Sequence, residues 1–413
     1  MSRGKENKLS YKNIAIKNIS WVWSTRVATR LVSIVRTAIT ARILSPTAFG
    51  VFGIASIGLV SLEVFTETGI NIFLVQEKET GSYINSAWII SILRGLLISI
   101  LLVVTAPLIA SFFKSSDAYI YILVLSIVPF IKGFINPSIV MFQKNLELRK
   151  EFWYRSIIFF LESLLTIIFT IYTKSPAGLV AGLMCGAVIE LLISHIFVFP
   201  RPRIEFSSIK LRKIIHNGKW VTLYGIFNYL SEELDNTVVA KMLGASSLGI
   251  YNLAYKFSYL PISEISDVVS RVVFPVYAKI LDDRKRLISA FLKSTLFISI
   301  LVILFGLGIF TFSTQIVSVI LGQKWIAAGE VLRFLVLYGV IRGIFGPFSA
   351  LFLAVGKQNY VASMTAARVL TLAVTIIPLI MFFGIFGAVY SAILSAVIEA
   401  PVAVYYAYKL FKK

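Results

Sequence analysis

Apolar residues run along this chain in blocks of about 20 or more, the length of helix that crosses the hydrocarbon core of a bilayer. Twelve blocks are predicted, near residues 19–43, 48–76, 85–113, 118–142, 151–173, 177–199, 218–243, 248–278, 288–320, 328–355, 359–383 and 385–408. Backbone polar groups in lipid must be satisfied within the segment, so each block reads as a helix. The expected fold class is an all-α polytopic membrane protein of about 12 transmembrane helices. Three blocks are expected to be discontinuous. Pro129 and Pro137 flank Lys132 in the fourth, Pro261 and Pro275 fall in the eighth, and Gly346–Pro347 interrupts the tenth. Proline removes a backbone donor, and such breaks survive in a membrane helix where a neighbour or a cavity satisfies the freed carbonyl. The series Gly178, Gly182, Gly186 predicts a small-residue ridge for close helix packing.

Polar positions inside the blocks are more informative than the blocks themselves. In the first, Arg26, Arg30, Ser33, Thr37 and Thr40 follow at spacings of four, three, four and three, which places them on one helical face, with Arg36 beside the stripe. A charge at the bilayer centre costs about 2.5–3.5 kcal/mol or more, so such residues normally face a water-filled cavity or a partner. Arginine stays charged when desolvated and grips phosphate or carboxylate with two prongs, so a cavity lined this way suits an anionic passenger. The second block carries Ser56, Glu63, Glu67 and Asn71 on one face, and the seventh carries Asn228, Glu232, Asp235 and Asn236. The eighth carries Asn252, Lys256, Ser263, Asp267, Ser270 and Arg271, and in the fifth Arg155, Glu162 and Thr166 align.

The expected substrate-binding residues are Arg26, Arg30, Arg36, Lys256 and Arg271, lining a cationic cavity. Glu63, Glu67, Glu232, Asp235 and Asp267 are the candidate ion-coupling or pairing acids. Structural ion pairs between helices, such as Arg30 with Glu63 or Lys256 with Glu232, are the competing reading. Arg94, Arg333 and Arg368 are single charges in apolar blocks, for which pairing and lining stand equal. Arg333 and Arg342 lie on opposite faces of the tenth block and cannot share one cavity. Arg42 and Lys241 follow polar faces but sit near block ends, where they can snorkel to the interface. His195 and His216 read as structural or solvated, and Tyr224, Tyr229, Tyr251, Tyr255 and Tyr259 are aromatic positions of the seventh and eighth blocks.

Composition agrees with the pattern: 58% of 413 residues are hydrophobic and the mean hydropathy is +0.86, beyond the range of soluble domains. A net charge of +20 would suggest nucleic acid in a soluble protein. Here it is expected to mark cytoplasmic loops, with no nucleic-acid partner. Five Lys/Arg precede the first block, three lie in 143–151 and six in 200–219, whereas Lys174 and Lys324 stand alone in alternate connections. The expected location is the cytoplasmic membrane, with both termini cytoplasmic and the first block an uncleaved span. The lone Cys185 excludes a disulfide framework. No GxxxxGK[ST] loop, HExxH pair or GxSxG elbow occurs, so neither an enzyme, a cofactor nor a metal site is expected.

The chain also repeats itself. Ala41–Phe52 matches Ala240–Tyr251 at an offset of 199, with alanine, basic, leucine, glycine and aromatic positions coinciding, and Glu67 matches Asp267 at 200. Six blocks separate the copies, so both halves have the same orientation, as in a parallel repeat about the membrane normal. The expected domains are a tail 1–18, an N-lobe 19–199, a basic cytoplasmic linker 200–217, a C-lobe 218–408 and a tail 409–413, with two six-helix lobes around a central cavity.

The stretches Thr40–Glu79 and Glu232–Ile280 resemble the N-terminal and mid-chain signatures of bacterial and archaeal polysaccharide flippases. These form a branch of the multidrug/oligosaccharidyl-lipid/polysaccharide (MOP) flippase superfamily, and the likeness is greatest to the colanic- and teichuronic-acid type. The resemblance implies alternating-access movement of an undecaprenyl-pyrophosphate-linked oligosaccharide to the outer leaflet, for O-antigen, capsule or another exopolysaccharide. It implies the lipid bilayer, glycan polymerases and glycosyltransferases as companions. Lipid II flippases of the same superfamily hold pyrophosphate with cations on the first and eighth helices, and Arg26, Arg30 and Arg271 occupy comparable places. Many relatives carry two further C-terminal helices. The alternatives are a multidrug or cation antiporter of the same superfamily, which would favour an acidic cavity, and a membrane-embedded glycan polymerase, which would favour a large outward loop.

Overall fold

The structure is a computed structural model; it describes the backbone of residues 3–205 and 207–412, and the side chains of 20–205, 207–214, 221–222 and 225–412. The side chains of His216 and Tyr224, named above, and of the lysines and arginine before residue 19 lie outside the described set.

The helices follow the apolar blocks. In chain order they are α1 (Arg3–Ile43), α2 (Pro46–Phe65), α3 (Ile70–Gln76), α4 (Thr80–Phe112), α5 (Ser116–Leu125), α6 (Ile127–Gly133), α7 (Val140–Lys144), α8 (Leu148–Thr173), α9 (Pro176–Phe197) and α10 (Ser208–Lys279). They continue as α11 (Arg284–Ile320), α12 (Ile326–Ile344), α13 (Gly346–Ala354), α14 (Gln358–Phe383) and α15 (Ile385–Lys412). Nine helical segments among the described residues are long and apolar enough to cross a membrane. Besides the short α3 and α7, α1 and α10 are not among them; these two carry the polar stripes of the first, seventh and eighth blocks.

Two junctions explain the repeat. Between α1 and α2 the chain breaks at Leu44–Ser45, and Pro46 opens α2, where its missing N–H costs nothing. The equivalent place in α10 is Gly244, whose φ of 80° and ψ of −178° break the helix in a conformation only glycine adopts easily.

Other breaks divide between agreement and correction. The fourth block is interrupted at Ser126 and again after Gly133, where Trp88 Nε1 donates to the freed Phe134 carbonyl at 2.9 Å. The tenth block breaks between Ile344 and Gly346. Pro261 and Pro275, in contrast, lie within α10 without any non-helical residue beside them, so the expected discontinuity of the eighth block is absent. The second block is shorter than expected. Its helix ends at Phe65, and Gly69 at φ 63° starts α3.

The chain divides into two compact units, Met1–Leu44 with Val51–Tyr229, and Ser45–Gly50 with Leu230–Lys413. In the first, the ridge Gly178, Gly182, Gly186 of α9 lies against Thr170, Thr166 and Glu162 of α8. In the second, Phe291, Phe348, Phe352 and Met364 build an aromatic core around fully buried Tyr277. Along α11, Leu292, Leu296, Ile300 and Leu304 are exposed at a spacing of four, the greasy face a lipid-facing helix presents. Also within the second unit, Gly50 packs on the backbone of Ala245 and Gly249 on that of Pro46. Gly50 and Gly249 are equivalent positions of the repeat, and so are Pro46 and Ala245, so this contact is reciprocal.

Candidate functional site

Each unit encloses a polar cavity inside an apolar helix bundle. In the first unit a cavity of about 380 Å³ is lined by Glu63 and Glu67 at the end of α2, Arg94 on α4 and Lys132 on α6. Arg94 Nη2 donates to the Glu63 carbonyl at 2.6 Å and to Glu67 Oε2 at 3.2 Å, while its Nε reaches Thr66 Oγ1 at 3.3 Å. The arginine thus caps the C-terminal turn of α2, where unpaired carbonyls and the negative dipole end attract a cation. Lys132 Nζ lies 3.9 Å from Glu63 Oε1, so all four charged residues of this cavity have an opposite charge within reach. Gly95 and Gly133 meet backbone to backbone and let α4 and α6 approach closely enough to place Arg94 and Lys132 together.

In the second unit a cavity of about 530 Å³ is lined from α10 by Tyr259, Ser263, Asp267, Ser270 and Arg271. Arg342 of α12, Gly346 and Ser349 of α13, and Glu399 of α15 complete it. Gly346 has no room for a Cβ against the hydroxyls of Ser266 and Ser270, so glycine at the α12–α13 break allows this close approach. Ser266 Oγ donates to the Gly343 carbonyl at 2.9 Å and satisfies the end of α12.

Behind the cavity lies a buried network. Arg368 and Glu399 are 8% and 7% exposed, and their Nε and Oε2 stand 3.4 Å apart. Arg368 Nη1 donates to Tyr338 Oη at 3.4 Å, and Tyr338 packs with Tyr255 and Tyr259 at ring distances of 6.1 and 5.6 Å. Tyr251 Oη donates to Asp235 Oδ2 at 2.8 Å. Arg342 Nη2 donates to Tyr259 Oη at 3.3 Å, and the guanidinium lies 5.8 Å from that ring. Among the described residues neither Arg271 nor Arg342 makes an ion pair.

The expected site residues therefore separate. Glu63 and Glu67 line the first cavity, each with a basic partner, while Asp267 and Arg271 line the second. Glu63 is paired with Lys132 and not with Arg30. Arg36 Nη1 is held by Glu162 Oε1 at 2.9 Å and lies over the Phe159 ring at 5.2 Å, so its charge is neutralised within the α1–α8 contact. Arg26 is half-buried and Arg30 exposed on α1. On α10, Lys256 is half-buried, Glu232 exposed and Asp235 buried, and none of them lines either cavity. Arg155 pairs with Glu151 at 2.7 Å, and Arg333 lies 4.8 Å from the Phe310 ring. Sequence reasoning passed over Glu399 entirely. A lone acid in the last apolar block was the available signal, read against the lone Arg368 one block earlier.

The family described as polysaccharide biosynthesis protein matches this chain over residues 39–330. The chain is 23% identical over 354 residues to lipopolysaccharide biosynthesis protein WzxC of Escherichia coli (strain K12), covering 85% of this chain and 72% of that one. It is 25% identical over 354 residues to teichuronic acid biosynthesis protein TuaB of Bacillus subtilis (strain 168), covering 82% and 71%. Its fold is similar to that of the lipid II flippase MurJ in an inward closed conformation, with a TM-score of 0.75 at 17% identity over 95% of this chain and 89% of that one. It is also similar to an inward-facing multidrug resistance MATE family transporter of the MOP superfamily, with a TM-score of 0.68 at 15% identity over 93% and 96%.

Proposed function

We propose that this chain, which belongs to the polysaccharide biosynthesis protein family, is a flippase that carries a lipid-linked oligosaccharide across the cytoplasmic membrane for export of a surface polysaccharide. It is a multi-pass membrane protein with the helical fold shared by MurJ and MATE transporters. The observation that carries the reading is the second-unit cavity, lined by Arg271 and Arg342, neither of which makes an ion pair among the described residues. Cations in such a place need an anion, and a lipid-linked glycan brings one. The names of the relatives, which concern lipopolysaccharide and teichuronic acid biosynthesis, support the same class of passenger.

In this reading the lipid tail stays in the bilayer while the polar head passes through by alternating access. Arg26 and Arg30 of α1 are the further cations available to the head group, and Arg36 keeps its partner Glu162. The basic 200–219 connection and both termini face the cytoplasm, in keeping with the distribution of lysine and arginine. The chain transports its substrate and does not transform it.

The test is flipping of a fluorescent undecaprenyl-pyrophosphate oligosaccharide by the purified protein in liposomes. Accessibility of the head group to an outside quencher should rise with protein and not with empty vesicles. Export of organic cations in place of the lipid-linked glycan would overturn the reading in favour of a drug antiporter.

A further inference from the structure

The second-unit cavity holds more than a patch of positive charge, and its composition narrows what enters it. Arg271 and Arg342 line it together with the carboxylates of Asp267 and Glu399. A small, multiply charged anion such as pyrophosphate would be drawn by the arginines and repelled by the acids. A ligand that brings one negative group and several hydroxyls satisfies both, because a carboxylate accepts hydroxyl hydrogens as readily as an arginine donates.

The remaining lining has the chemistry of sugar recognition. Ser270 Oγ is buried with no hydrogen-bond partner, although it lines the cavity. Ser263 Oγ donates to the Leu260 carbonyl at 3.0 Å and keeps its lone pairs for a ligand. Ser349 adds a third hydroxyl from α13. Tyr259 is fixed between Tyr255 at 5.1 Å and Tyr338 at 5.6 Å, so it offers a ring that cannot easily turn away. The volume of about 530 Å³ lies within the range, roughly 300–1,000 Å³, of small-ligand sites.

We propose that the cavity between α10, α12, α13 and α15 is a subsite for a negatively charged sugar ring, with Arg271 and Arg342 receiving the acidic group and the serine hydroxyls meeting the ring hydroxyls. The proposal rests on the flippase reading and deepens it, because it assigns this cavity to the glycan and so makes the passenger an acidic oligosaccharide. The acidic group is an oxyanion, borne either as a ring carboxylate or as a phosphate ester on the ring. Arg368 does not compete for it, since Glu399 already holds that guanidinium.

The test is calorimetric binding to the purified full-length protein, with glucuronate, glucose 1-phosphate, neutral glucose and inorganic pyrophosphate as probes. At least one charged sugar should bind more tightly than glucose and pyrophosphate, and the better of the two identifies the source of the oxyanion. Arg342→Gln should weaken that binding about tenfold or more, and Ser270→Ala about threefold. Arg333→Gln, on the opposite face of α12, should leave it unchanged. Because Ser270 Oγ makes no internal hydrogen bond, its alanine variant keeps the fold and decides the matter if Arg342→Gln does not fold. Equal binding of glucose, tighter binding of pyrophosphate, no binding by any charged sugar, or indifference to Ser270→Ala would each overturn the proposal. Flipping of the lipid-linked substrate, measured on the same preparation, separates the two levels. Transport without charged-sugar binding removes the subsite and leaves the flippase. Loss of both in the wild type removes both.

Discussion

The two cavities differ in how their charges are balanced. In the first unit Glu63 answers Lys132 and Glu67 answers Arg94, so its four lining charges cancel without a ligand. In the second unit Glu399 is paired with Arg368, and among the described residues Arg271 and Arg342 make no ion pair, although Asp267 and Glu399 line the same cavity. The same ingredients, acids and bases on broken membrane helices, thus serve two ends. A self-compensated set fixes helices to one another, since removing either member strands the other in a poor solvent. An uncompensated set keeps a place for an incoming anion. Charge count alone does not distinguish them; partner geometry does.

The largest expected effect falls on the uncompensated side. Arg342→Gln should slow flipping about ten- to hundredfold, from loss of one charge-assisted contact in a low-dielectric site, with thermal stability in detergent changed far less. Next is the buried Arg368–Glu399 pair. Arg368→Met alone should destabilise the protein by about 3–5 kcal/mol, because Glu399 is left charged and unpaired, while Arg368→Met with Glu399→Leu should recover most of the loss. Denaturant unfolding of both variants checks this, and a double variant no more stable than Arg368→Met alone would contradict it.

Smaller effects test the rest. Gly50→Val and Gly249→Val should each cost about 1–3 kcal/mol, since each side chain would meet backbone across the reciprocal contact. Thermal unfolding should show similar losses for the two, as their equivalence requires. In the first cavity, a double-mutant cycle on Glu67→Gln and Arg94→Gln should give a coupling of about 0.5–3 kcal/mol, the sign of a mutual pair.

The smallest effect concerns pH outside the membrane. Lys213 Nζ donates to Glu77 Oε2 at 2.7 Å; this holds the Glu77 carboxyl below its ordinary value and the Lys213 ammonium above its own. The Glu77 contribution is present above the ordinary carboxylate range near 4.3 and fades as pH falls through the lowered value. The Lys213 contribution is present below the ordinary lysine value and fades as pH rises through the raised one. Proteolysis around residues 77–80 should therefore stay flat across neutral pH and increase only at acidic or strongly alkaline pH. Glu77→Gln should abolish the acidic limb.

Much of this architecture was legible in the sequence for identifiable reasons. Apolar length and the positions of charge marked every long helix, and the Ala240–Tyr251 repeat located the Gly244 break because the helix also breaks at the equivalent Leu44–Ser45. Proline was a poorer guide. Pro347 coincides with a break, whereas Pro261 and Pro275 sit in continuous helix, since a missing donor bends a helix only when nothing else accommodates it. The charge partners were not legible. Arg36 finds Glu162 across 126 residues and Arg368 finds Glu399 on a neighbouring helix, and no local periodicity encodes such pairings. Helical faces showed which charges pointed the same way; only packing showed which of them were already answered.

The central claim is that the uncompensated second-unit cavity, and not the compensated first-unit one, engages the passenger. It is tested most directly by flipping of a fluorescent undecaprenyl-pyrophosphate oligosaccharide in liposomes, comparing Arg342→Gln with the charge-neutral double variant Glu67→Gln/Arg94→Gln. The account predicts transport lost in the first and largely retained in the second, at equal amounts of folded protein. Retained transport in Arg342→Gln together with its loss in the double variant would contradict it.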